Sequence, residues 1–187
     1  MSWKSQHVRV AAILHLAVCV SAGRVASAEG AKVWHIKAVH PEGRLLDVKA
    51  IDGDGGIHDV KAIEQAGNRH ILDIKAFVDG EVFAVKVLAR DDWFGPVKAI
   101  DASGKVLDIK ALTPENDRLD VKAVSRAGHI LDIKAIGFDG QFYGVKALSP
   151  EGHVYDVKGV KMSDDPVEME IGELSVRAHV KALPQVD

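Results

Sequence analysis

The side chains capable of chemistry in this chain are mostly lysines, and they recur at one interval. Lys37, Lys49, Lys61, Lys75, Lys86, Lys98, Lys110, Lys122, Lys134, Lys146 and Lys158 follow one another at 12 residues in eight of ten steps. A twelfth, Lys181, sits in Ala178-His179-Val180-Lys181-Ala182-Leu183. Asp stands two residues before Lys in seven of the twelve copies. A catalytic lysine needs a depressed pKa and a pocket of its own. Twelve near-identical lysines fit neither requirement. Paired with Asp, they read instead as a solvated face of cross-strand ion pairs.

Other candidates are weaker. Asp52-Gly53-Asp54-Gly55 resembles the opening of a calcium loop, but Ile63 occupies the twelfth place where such a loop needs Glu. An acidic turn is the simpler reading. His35, His40, His58, His70, His129, His153 and His179 form no compact metal-ligand motif. His35 and His179 both stand where Asp usually does, and closure of first strand on last would bring them together. Ala84, Pro96 and Gly144 also replace Asp, with Phe83, Trp93, Phe94, Phe142 and Tyr143 nearby. These five aromatics are the candidate ligand-binding residues. Phe83 and Tyr143 would narrow a channel, and Trp93 would anchor a partner or interface. Core filling is the plainer role for them. No nucleophile–base set, phosphate loop or metal motif stands out. A non-enzymatic protein without cofactor is therefore expected.

Bulk properties narrow the class. The chain has 187 residues, 47% apolar and 27% charged, with a formal charge of −3 and one Cys. That composition argues against disorder, against a nucleic-acid binder and against a disulfide scaffold. Residues 1–28 read as a signal peptide: Lys4 and Arg9, an apolar run Val10 to Val20, then Ala26-Ser27-Ala28. Cys19 falls inside the run, in a poor context for lipidation. Secretion or periplasmic export follows, and residues 29–187 carry a formal charge of −6. Those residues form one domain: regular repeats over 33–160, an irregular segment 161–173 and a closing strand 174–183.

The repeat itself dictates strands. In Leu107-Asp108-Ile109-Lys110-Ala111-Leu112 the apolar residues alternate with Asp and Lys. Val or Ile precedes every repeat lysine. The five-residue connections His40–Arg44, Asp52–Gly56, Asp101–Lys105, Ser125–His129, Gly137–Gln141 and Ser149–His153 each carry Gly in fourth place. Asn116 and Asp92 take that place elsewhere, as a left-handed loop residue requires. A parallel β-solenoid, the alternative fold, would stack like charges at ~4.8 Å. An antiparallel up-and-down meander instead sets Lys110 against Asp120, Asp108 against Lys122, Lys49 against Asp59 and Asp47 against Lys61. The same register sets Leu107 against Ala123. Pro96 fits a central ladder poorly and marks a bulge.

Twelve such strands close into a shallow all-β barrel, which removes exposed edges. Its backbone radius would be roughly 11 Å, leaving an apolar axial channel. Segment 162–175, an amphiphile or an uncleaved N-terminal helix would fill it. A membrane barrel with a charged lumen needs strands of ~9–11 residues and aromatic girdles. These strands are shorter and lack the girdles.

Serial Asp-Val-Lys-Ala-Ile copies separated by Gly turns resemble the short-repeat β-flower proteins, which are similar in turn to the Tubby C-terminal barrel. The resemblance covers 33–160 and 174–183. It implies a symmetric shallow barrel with an apolar channel and no established function. Tubby-like domains bind membrane phosphoinositides, but no matching residues stand here. The expected role is to hold a lipid or other hydrophobic ligand in the channel. The alternative is a structural or adhesive cell-envelope scaffold acting through protein contacts or at the membrane surface.

Overall fold

The computed structural model describes residues 31–65, 68–90, 95–161 and 170–185. Residues 1–28, which read as a signal peptide in the sequence, most of the irregular segment, Asp92, Trp93 and Phe94 lie outside them. The described chain is an all-β antiparallel meander in one closed sheet. Its strands are β1 (Lys32–Val39), β2 (Leu45–Ile51), β3 (Ile57–Gln65), β4 (Asn68–Val78), β5 (Glu81–Ala89) and β6 (Val97–Ile100). There follow β7 (Val106–Leu112), β8 (Arg118–Ala127), β9 (Ile130–Ile136), β10 (Phe142–Leu148), β11 (Val154–Val160), the short β12 (Glu170–Ile171) and β13 (Leu174–Pro184). Each of the twelve longer strands carries one repeat lysine.

The sheet closes by forking. The end of β1 pairs with the start of β2 (Lys37 opposite Asp47), and the end of β2 with the start of β3 (Lys49 opposite Asp59). The end of β3 then returns to the start of β1 (Lys61 opposite His35). The same cyclic pairing joins β4, β5 and β13, then β9, β10 and β11. In β6, β7 and β8 the third link is the single bridge Pro96–Lys122. On its opposite edge each strand meets one strand of another triad, lysine opposite lysine. These pairs are Lys37–Lys146, Lys49–Lys110, Lys61–Lys75, Lys86–Lys98, Lys122–Lys134 and Lys158–Lys181. Four triads are thus linked by six pairs, and any two triads share one pair. This is the connectivity of a tetrahedron, with triads as vertices and lysine pairs as edges.

Forking corrects three expectations. Leu107 does not meet Ala123: it faces Ala99, while Ala123 donates its N–H to the Gly95 carbonyl at 3.2 Å. Asp108 faces Lys98 rather than Lys122, and Lys61 faces His35 rather than Asp47. His35 and His179 stay apart, because β1 closes on β10 and β13 completes the triad of β4 and β5. Hairpins inside a triad, such as β1–β2 and β7–β8, keep the ten-residue register for part of their length before the strand moves to another partner.

Local chemistry permits the forks. Inside a triad, loops such as His40–Arg44 close with the fourth residue at positive φ, as at Gly43 (87°) and Asn116 (70°). Between triads the connection differs. β8 and β9 form a lysine-centred hairpin in which Ala127 faces Ile130, so Ser125–His129 is not a five-residue loop. Pro96 makes one isolated bridge, to Lys122, and β6 begins after it.

The expected channel is absent. The β-branched residues before the twelve lysines, from Ile36 to Val180, all point to one centre and leave about 10 Å³ among them. That space is at the limit for a single water. No acyl chain fits there, so a lipid cannot occupy the middle of the closed shell. Three-way forks curve the sheet enough for side chains to meet.

Around this centre, large residues meet small ones at most forks: Leu46 faces Ala38, Leu119 faces Ala111 and Tyr155 faces Ala147. One exchange is compensated. Val87 replaces the usual Ala, and Gly159 replaces it on β11. A Cβ on Gly159 would lie 3.1 Å from the Val87 Cγ2 and 3.0 Å from the Leu131 Cβ. Gly159→Ala is therefore expected to cost about 1–3 kcal/mol through overpacking. Adding Val87→Ala should recover part of that loss, a non-additivity measurable by urea unfolding of the double-mutant cycle.

Candidate functional site

The exterior is organised by the triads. Lysines directly opposite each other repel, so most of them turn toward the carboxylates of their own triads. Lys49 Nζ lies 2.5 Å from Asp59 Oδ1, and Lys122 Nζ 2.8 Å from Asp120 Oδ2. Lys37–Asp47, Lys98–Asp108, Lys110–Asp120, Lys146–Asp156, Lys158–Asp132 and Lys181–Asp73 are also paired. Lys61 lies between Asp59 Oδ2 (3.3 Å) and His35 Nδ1 (3.3 Å). The result is an alternation of charge along much of each vertex, interrupted where His35, Ala84, Pro96, Gly144 and His179 take the place of Asp.

Hydrogen bonds from Lys110 and Lys122 pull the Asp120 carboxyl down to about 2. The Lys37 and Lys49 hydrogen bonds lower Asp47 and Asp59 in the same way. A lowered carboxylate pKa stabilises the fold above the unfolded value and stops doing so as pH falls through the folded one. Stability should therefore decline from about pH 4 toward pH 2. Asp120→Asn should cost on the order of 0.5–1 kcal/mol at neutral pH and make the acid decline shallower, as followed by circular dichroism.

Of the five candidate aromatics, the structure brings two together. Phe142 and Tyr143 open β10, with Phe142 opposite Ile136 and 52% exposed. Tyr143 is half-buried, its ring 4.9 Å from that of His40. Phe83 is apart from them, buried opposite Ala76 with the Lys105 ammonium 5.9 Å from its ring. It points inward and fills the core, the plainer of the two roles weighed for it.

Residues around Phe142 and Tyr143 that sequence reasoning passed over complete a seam between two hairpins. His40 is buried in the β1–β2 loop. Its Nδ1 accepts the Glu42 backbone N–H at 3.0 Å, and its Nε2 faces both Gln141 Oε1 in the β9–β10 loop and Arg44 Nη2, 3.2 Å away. Tyr143 lies over Gly137, where an added Cβ would stand 3.2 Å from its ring. Phe138, in the same loop, is 80% exposed. Val39 faces both Leu45 and Gly144, which places the half-exposed Leu45 on the flank of the seam. The only signal in the sequence was loss of Asp at Gly144, which gave no hint that His40 lies across the seam.

A second aromatic group joins other elements. Trp34 donates its indole N–H to Glu64 at 2.9 Å and stacks near Tyr155 (4.6 Å) and His153 (6.2 Å). Both Trp34 and Glu64 are buried, so this group holds β1 to the end of β3 and to β11. Asp52 caps its own loop: Oδ1 accepts the N–H groups of Asp54 and Gly56, and Oδ2 lies 2.8 Å from His58 Nε2. Its oxygens serve the turn rather than a calcium ion. Among the described residues no group of three or more His, Cys, Asp or Glu side chains is placed to hold a metal.

No curated protein and no solved structure matches the chain. A family of unknown function does, over residues 31–183. That span runs from just before β1 to the end of the closing strand, so the matched unit is the whole twelve-strand shell. The chain belongs to that family, DUF7486.

Proposed function

We propose that this protein is a non-enzymatic interaction scaffold whose exposed hairpin ends dock further copies of the same chain. The observation that carries this reading is the exposure of Phe138 (80%) and Phe142 (52%) on one hairpin. Burying an aromatic side chain against a partner is worth roughly 1.5–3 kcal/mol, and two on one rigid hairpin make an anchor.

Pseudosymmetry favours a second copy as the partner. Apolar pairs recur at strand ends, as in Val39–Leu45, Ile51–Ile57, Phe77–Val82 and Leu148–Val154. A surface that fits one of these ends fits the others, and another copy presents the same ends in the same geometry. Such self-complementary patches form isologous contacts. The alternating charge between them opposes such approach only weakly. The basic, apolar and small-residue order of 1–28 supports export, which would place these contacts outside the cytoplasm.

Sedimentation equilibrium on residues 29–187 should show concentration-dependent association. Phe138→Ser with Phe142→Ser should weaken that association at least tenfold while leaving the far-ultraviolet dichroism unchanged. A protein that stays monomeric at millimolar concentration, or a double variant that associates as before, would refute the reading.

A further inference from the structure

The vertex formed by β6, β7 and β8 has a looser third link than the other three. Its strands β6 and β8 are joined through the isolated bridge Pro96–Lys122, whereas the matching links β1–β3, β9–β11 and β4–β13 hold four, three and two residue pairs. Ion pairs run in series across this vertex: Lys98 with Asp108, Asp108 with Lys110, Lys110 with Asp120, and Asp120 with Lys122. A sixth place, opposite Lys122 and two residues before Lys98, would close the series if it held Asp. Pro96 stands there and carries no charge. Three ammonium groups thus share two carboxylates, and among the described residues no carboxylate joins Lys122 back to Lys98. At the vertex of β1, β2 and β3 the same place holds His35, whose Nδ1 lies 3.3 Å from Lys61 Nζ. At Pro96 the place opens instead into a cavity of about 300 Å³, lined by Pro96, the three lysines and both aspartates.

We propose that this cavity binds a small hydroxy acid: a monocarboxylate carrying hydroxyl groups on a short carbon chain. The carboxylate takes the sixth place, between Lys98 and Lys122 at the two ends of the series. The Lys122 side chain is 42% exposed against 21% for Lys98, so its ammonium has room to turn toward a ligand while Asp120 stays 2.8 Å away. One excess positive charge balances one carboxylate. The two aspartates beside it disfavour a dianion such as phosphate. A carboxylate oxygen accepts more than one hydrogen bond, so Asp108 and Asp120 remain acceptors after their lysine contacts. Hydroxyl groups on the ligand are the donors that suit them. A plain hydrocarbon body would displace water from these carboxylates without replacing its hydrogen bonds. The volume is at the lower end for ligand sites, which keeps the ligand small.

Glycerate is the probe, titrated into the 15N-labelled protein with glycerol, propionate and inorganic phosphate as comparisons. Glycerate should shift the amides of Val97, Lys98 and Lys122 saturably. Glycerol and phosphate should bind at least tenfold more weakly, and propionate at least threefold. Pro96→Asp supplies the missing carboxylate and should weaken glycerate at least tenfold. Pro96→Asn has the same shape without the charge and should leave glycerate binding within threefold. Lys122→Gln removes the excess charge and should weaken glycerate about tenfold, with the far-ultraviolet dichroism unchanged. Equal loss in Pro96→Asp and Pro96→Asn, or unchanged binding in Lys122→Gln, would overturn the proposal. So would glycerol, propionate or phosphate binding as tightly as glycerate, or the absence of saturable shifts in the unsubstituted protein.

Discussion

The whole structure depends on where twelve β-branched side chains can go. Each strand is too short to bury its apolar face against a partner of its own. Each instead sends one Val or Ile to a shared centre, where about 10 Å³ is left over. Twelve strands can surround one point only if the sheet curves in every direction. Curvature of that kind requires strands to part company midway, and every triad is a place where they do. Ala follows lysine in most copies because a fork brings three backbones together. Where Val87 breaks that rule, Gly159 absorbs the volume.

Charge plays a secondary but ordering role. Exposed ion pairs contribute little singly. Their value here is geometric: Lys faces the Asp ten residues later only when neighbouring repeats share a triad. On the lysine-centred edges like charges meet, and the carboxylates of the flanking triads offset that repulsion.

Much of this was legible in the residues. Alternation, the Gly-bearing loops, the Lys49–Asp59 and Lys110–Asp120 registers and closure all follow from the repeat, and the structure has them. The choice of partners was not legible. Every copy offers nearly the same pattern, so nothing in the sequence of β2 marks β7 as its neighbour across Lys49 and Lys110. Continuing a correct hairpin register past the fork put Leu107 beside Ala123, and treating the sheet as a simple ring produced a channel. The seam was hidden for a related reason. His40 and Gln141 lie 101 residues apart and meet only because β1 pairs with β10. Tyr143 and Trp34 occupy the same Leu place three residues before a repeat lysine; Tyr143 stood out beside Phe142 and Gly144, whereas Trp34 was passed over.

The most direct measurement is the set of cross-strand nuclear Overhauser effects around the lysine-centred edges. A tetrahedral shell predicts backbone contacts between Lys49 and Lys110 and between Lys37 and Lys146, together with Ala38 against Leu46 and Trp34 against Ala62 on a single β1 edge. A barrel of sequential neighbours would lack the first two and would pair β1 with β2 along its full length. That second pattern would contradict the account.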